Sequence, residues 1–241
     1  MLSCVGAAAR RAFVLFPFIG TVAAAQATLG GVALRGTGVG FNIVDNASRS
    51  SSINISGFSD VIGPTVNNQS VVIRLNNLTH TWVGDLRMRV DFLSAALGTT
   101  TSFVMMNRPG LQTVAGGFSD NFVGNYSFGE YDDASGLFTT DLIDFMAFGP
   151  SANVPSGNYF AFDGQDYNSP GEKFNGLNPN GTWSLHIEDF VTADAGSVVS
   201  WDLAFNVNVP NTTVPEPSTV ALMAVGLIAL GGAAARRRRT V

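Results

Sequence analysis

The amino-acid sequence predicts an all-β protein, a jelly-roll-like β-sandwich, flanked by an N-terminal signal peptide and a C-terminal transmembrane helix. Three observations predict it. Apolar and polar residues alternate with a period of two in several short runs, the pattern of a strand buried on one face. The 241 residues include 27 glycines but only 13% charged residues, a turn-rich profile unlike that of helical surfaces. Clusters of Gly, Pro, Asn and Asp separate the runs at short spacing, as in sandwiches and barrels. With 46% apolar residues, a chain of this length can bury one substantial core.

Residues 1–25 read as a secretory signal peptide. Arg10 and Arg11 form its basic region, Ala12 to Val22 its apolar run, and Ala23-Ala24-Ala25 a small-residue cleavage site before Gln26. The paired arginines also fit a twin-arginine signal, but ordinary Sec export is the preferred reading. The single cysteine, Cys4, lies in this leader. The processed chain is therefore expected to hold no disulfide, zinc-thiolate site or thiol nucleophile.

At the other end, a linker over 209–218 carries Pro215, Glu216 and Pro217. An apolar run over 219–235 follows, then a basic end over 236–241 with Arg236 to Arg239. A helix over the apolar run spans roughly 26 Å, slightly short of a hydrocarbon core of about 30 Å, and crosses if the arginines snorkel. The arginines would stay cytoplasmic. This ending resembles the PEP-CTERM sorting signal of Gram-negative bacteria. The resemblance implies signal peptidase and exosortase as processing enzymes, and a transient stay in the inner membrane. Its destination is the outer surface or the exopolysaccharide matrix.

The termini hold six of the 13 basic residues and one of the 18 acidic ones, so residues 26–213 carry seven basic and 17 acidic side chains, net −10. Such a body does not bind nucleic acid through counterion release. It is better suited to cations.

Within the body, residues 26–52 read as a small-residue extension with one short strand at Phe41 to Val44 and a polar connector at Asp45 to Ser52. The domain proper is expected over 53–208. Val71, Ile73 and Leu75 alternate with Val72, Arg74 and Asn76, and Leu86, Met88, Val90 and Phe92 alternate with Arg87, Arg89 and Asp91; both read as half-buried strands. Further strands are expected at Thr101 to Met106, Asn121 to Phe128 and Tyr159 to Phe162. Leu142 to Phe148 fits either a strand or a helical turn. After the turn signal Asn178-Pro179-Asn180-Gly181, Trp183, Leu185 and Ile187 alternate with polar residues. Val199, Trp201, Leu203, Phe205 and Val207 do the same, and the two runs read as a hairpin with two buried tryptophans.

Between the first two alternating runs lies the corner His80-Thr81-Trp82-Val83-Gly84-Asp85-Leu86. Gly84 permits a tight turn there, and Asp85 offers a carboxylate to turn amides or to an oxygen-ligated cation. This corner, with Asn125 to Phe128, Phe174-Asn175-Gly176, Asn178 to Leu185, Asp189, Gly196 and Ser200 to Leu203, resembles the P domain (P/Homo B domain) that follows the catalytic domain of kexin- and furin-like subtilases. The resemblance covers roughly Ile53 to Val207. It implies a jelly-roll sandwich, often calcium-stabilised, and marks His80, Trp82, Gly84, Asn180, Gly181, Trp183 and Trp201 as structural signature. Calcium takes six to eight oxygens, and Asp85, Asp132 and Asp133 are the ligand candidates, with Glu130 less favoured. The loop after Phe128 departs from the family pattern.

Catalysis is not expected. The two histidines, His80 and His186, form no His-Glu-x-x-His pair, and no Gly-x-Ser-x-Gly elbow or Walker-type loop occurs. Glu130 with Asp132 and Asp133, or Glu188 with Asp189, could serve as acid and base, but acids in turns are more often solvated or cation-bound. The expected function is that of a secreted, non-catalytic structural or binding module. An accessory of a secreted serine peptidase and a binder of matrix polysaccharide are the alternatives.

Overall fold

The computed structural model describes residues 27–29, 31–64, 69–131, 136, 138–147, 149–162 and 167–207. The signal peptide, the linker with Pro215, Glu216 and Pro217, the apolar run, the basic end, and both Asp132 and Asp133 lie outside the described residues.

Twelve strands are formed among the described residues: β1 (Thr28–Leu29), β2 (Val32–Ile43), β3 (Ala47–Ile55), β4 (Val71–His80), β5 (Leu86–Ser94), β6 (Thr100–Asn107), β7 (Asn121–Gly129), β8 (Asn153–Val154), β9 (Gly157–Phe162), β10 (Tyr167–Asn168), β11 (Gly181–Asp189) and β12 (Gly196–Phe205). One short helix, Pro170–Phe174, and two 3-10 turns, Val83–Asp85 and Leu142–Phe145, accompany them. The strands bond in the order β1-β2-β12-β4-β7-β9-β6-β5-β11-β3. This order folds into two layers. β9 joins them, running parallel to β7 along Tyr126 to Gly129 and meeting β6 where Phe162 lies opposite Met106. The fold is the all-β sandwich that the alternation predicts.

The core fills the space between the layers. Leu86, Met88, Val90 and Phe92 of β5 and Trp183, Leu185 and Ile187 of β11 are fully buried, each burial contributing about 1.5–3 kcal/mol. The β5 polar partners Arg87, Arg89 and Asp91 stay partly exposed on the other face.

Three sequence expectations differ from what is found, and one left open is resolved. The expected extension over 26–52 holds β2 and β3, two full strands of the sandwich; β2 pairs with β12, β3 with β11, and residue 53 falls inside β3. Their core-facing positions are small because a large neighbour fills the space. A side chain at Gly38 would collide with the Trp201 indole, one at Gly36 would come within 2.7 Å of Ile53, and Ser51 accepts the Trp201 Nε1–H at 2.7 Å. The runs expected to pair as a hairpin, β11 and β12, lie in opposite layers; β11 pairs with β3 and β5, β12 with β2 and β4. Val199 is 63% exposed and Val198 takes the buried position, because strict alternation breaks where β12 passes an irregular stretch of β4. Leu142–Phe145 resolves as a 3-10 turn, started by the Asp141 carboxylate accepting the Ile143 N–H at 3.0 Å.

Candidate functional site

The site is prepared by a bulge in β4. Asn77 adopts φ 48°, its N–H donating to Asn125 Oδ1 at 2.8 Å, and the register with β7 shifts between Leu75 and Leu78. A bulge adds one residue and turns the following side chains to the other face. Leu75, Leu78 and His80 are therefore all buried. Without it, strict alternation from Leu75 would direct His80 outward.

Inside, His80 meets Asp189, the last residue of β11. His80 Nε2 lies 3.0 Å from Asp189 Oδ2, and neither side chain has any solvent exposure. The other Asp189 oxygen accepts the Val191 N–H at 3.0 Å. His80 Nδ1 lies 3.2 Å from the Trp82 amide N and 3.0 Å from the Trp82 carbonyl O. A neutral ring accepts the amide proton, whereas an imidazolium donates to the carbonyl, so both forms find partners. Gly196 stands opposite His80 in the ladder; a Cβ there would collide with the Thr79 carbonyl and come 2.8 Å from His80 Cδ2.

The rest of the corner is held just as closely. Trp82 Nε1–H donates to Gly116 O at 2.7 Å, and the Gly84 N–H donates to Phe118 O at 2.9 Å. A Cβ at Gly84 would sit 2.6 Å from both Gly116 O and Phe118 N. Close approach of this loop, and not a left-handed backbone, demands the glycine. Thr81 donates to Asp194 at 2.6 Å.

Asp85 follows in the 3-10 turn, 3% exposed. Among the described residues its carboxylate accepts no hydrogen bond, while its main-chain carbonyl accepts the Phe190 N–H at 3.1 Å. Burial, then the nearby Asp189 and Asp194 carboxylates, push its pKa up to about 6, with Arg108 and His80 acting in the opposite sense. Arg108 stacks over Phe190 at 4.8 Å, and its buried Nε has no hydrogen-bond partner.

A consequence follows for stability. Between the usual carboxylate value and about 6, folded Asp85 holds its proton while the unfolded chain has released it, so this group makes the fold less stable as pH rises through that window. Asp85→Asn is expected to melt higher than the native chain at pH 7 and to flatten the loss between pH 4 and 7. Thermal melts at half-unit intervals check this.

The remaining signature residues make contacts within the fold. Asn180 accepts the Phe58 N–H at 3.0 Å and, like Asn178 at 3.1 Å, donates to Phe58 O. Gly181 has φ 152°, and a Cβ there would strike Leu93 O. Trp183 donates to Pro179 O at 3.0 Å and stacks on Phe92 with ring centroids 4.4 Å apart.

Asp85 does not meet the acidic loop among the described residues. Glu130 accepts from Ser70 and pairs with Gln69, its N–H on Gln69 Oε1 at 2.9 Å, at the start of β4. His80 ends that strand, about 30 Å away. No group of three or more His, Cys, Asp or Glu among the described residues could hold a metal ion. Among the described residues the acids near Asp85 are already engaged, Asp189 with His80 and Asp194 with Thr81, while Asp132 and Asp133 lie outside them.

The outer-face histidine offers no nucleophile either. His186 Nε2 lies 3.2 Å from Asp91 Oδ2, and Ser102 Oγ donates to Asp91 Oδ1 at 2.7 Å. The carboxylate thus stands between hydroxyl and imidazole, whereas activation requires the imidazole in the middle.

The sequence indicated the corner through His80, Trp82 and Gly84 but not its pairing with Asp189. No local signal carries a contact across 109 positions. Arg108 also escaped notice, since nothing in its neighbourhood marks it.

Residues 213–239 match the PEP-CTERM protein-sorting motif. The match supports exosortase-dependent secretion, with sorting to the envelope of a Gram-negative bacterium. No curated protein matches the chain. Among solved structures, the chain is similar to the Aeromonas sobria serine protease in complex with its chaperone, at 14% identity and a TM-score of 0.25, over 70% of this chain and 27% of that one. The same protease solved separately gives 15% identity and a TM-score of 0.24, over 69% and 27%. The chain spans about a quarter of the length of these proteins, and likeness at such scores carries no argument.

Proposed function

We propose that the chain is an exported, non-catalytic β-sandwich module, delivered by its C-terminal signal to the cell envelope or extracellular matrix, where it has a structural or binding role. The observation that carries this reading is the burial of the His80–Asp189 pair. It is the constellation here most like a catalytic dyad, yet its ring nitrogens are saturated by Asp189 and Trp82 and no substrate atom can reach them. General base catalysis needs an imidazole nitrogen within reach of the reacting proton. The pair instead ties the end of β4 in one layer to the end of β11 in the other, which is the work of a clasp. The sorting motif supplies the address. The test is to replace Pro215, Glu216 and Pro217 by alanine and follow surface delivery.

A further inference from the structure

We infer that the outer face of the first layer carries a binding site for a carboxylate-bearing sugar, centred on Arg74; this deepens the reading of an envelope-sorted binding module and rests on it. A cleft of about 270 Å³ is lined by Leu29, Arg74, Asn125, Ser127 and residues Ser156 to Asn158. Arg74 of β4 and Ser127 of β7 stand directly opposite each other in the ladder, and β8–β9 supplies the far wall.

Two groups in this cleft lack partners. Ser127 is 5% exposed, yet among the described residues its hydroxyl makes no hydrogen bond. The Arg74 guanidinium makes none either and joins no ion pair, although Asp202 faces it across the ladder on the β12 side. Asp202 is already engaged, accepting from Thr37 at 2.6 Å and from Asn76 at 2.9 Å. The Ser127 hydroxyl lines the cleft, so its donor and acceptor sites are open to a ligand or to water. A guanidinium is a planar, permanently charged fork shaped for a carboxylate. The rest of the lining adds hydroxyl and amide groups without a second charge, the donors and acceptors that ring hydroxyls require. The volume lies just below the usual range of about 300–1,000 Å³ for ligand pockets and suits one sugar ring, with neighbouring units of a chain outside. A uronate unit of an acidic polysaccharide combines these demands.

The experiment titrates the full-length chain, purified in mild detergent, with trimers of galacturonate, mannuronate and guluronate, with neutral galactotriose, and with inorganic phosphate. Binding of at least one uronate trimer is expected, weakening with added salt. Arg74→Gln should reduce that affinity about tenfold or more, the worth of a charge-assisted hydrogen bond, at an unchanged melting temperature. Ser127→Ala should reduce it by a smaller factor. Absence of uronate binding overturns the inference, as does equal binding of galactotriose or full affinity in Arg74→Gln. Phosphate binding as tight as the sugar reassigns the cleft to simple anions and also overturns it. Arg74→Gln leaves the tail intact, so delivery to the surface in that variant separates failure of this site from failure of the module reading.

Discussion

Replacing His80 with alanine is expected to lower the unfolding free energy by about 3–5 kcal/mol, the usual cost of leaving a buried carboxylate without its partner. The size of the effect comes from what remains. Asp189, with no solvent exposure, keeps only the Val191 N–H at 3.0 Å, and it faces Asp85, whose own pKa it helps to raise. Two carboxylates then share a buried corner without the imidazole that Asp189 now meets. The double variant His80→Leu/Asp189→Leu removes both polar groups and is expected to recover most of the loss, because isosteric apolar replacement of a buried pair is often neutral or stabilising. Urea unfolding of the native chain, both single variants and the double variant gives the coupling energy directly. A loss below about 1 kcal/mol for His80→Ala would contradict the clasp.

Trp183→Ala is the second large effect, again about 3–5 kcal/mol. Its indole lies 4.9 Å from the Phe174 ring and 6.0 Å from that of Phe205, in addition to its stack on Phe92. Phe92 and Trp183 belong to adjacent strands in register, whereas Phe205 comes from the opposite layer. Truncation therefore opens a cavity that rigid neighbours on both sides cannot close. It also leaves Pro179 O without its donor. Trp82, partly exposed and with its indole bonded only at the loop carbonyl of Gly116, should cost clearly less. Urea midpoints of the two alanine variants, measured side by side, check the order.

Much of this architecture was legible because it is local. Strict alternation located β5 and β11, and turn residues bounded them. What stayed hidden is non-local or depends on a break in periodicity. β2 was read only at its end, from Phe41, because inward positions in its middle are glycines facing Trp201 and Ile53; there the apolar signal is carried by the residues it packs against. The pairing of β11 and β12 was misread since strands close in sequence often form hairpins, yet here residues 190–195 cross between the layers. His80 points inward only through the bulge at Asn77, and the bulge has no pattern distinct from an ordinary Asn-Asn in a strand. Of the candidate site, its glycines, Trp82 and Asp85 were visible as a corner. Asp189 was visible only as an acid in a turn.

Delivery of the chain tests the central claim most directly. The native protein and a variant with Pro215, Glu216 and Pro217 replaced by alanine, both carrying an epitope inserted at the exposed turn around Gly98, should be fractionated and labelled on intact cells. The account predicts that the native body reaches the outer surface or the matrix and that the variant stays in the inner-membrane fraction. Equal surface labelling of the two would contradict it.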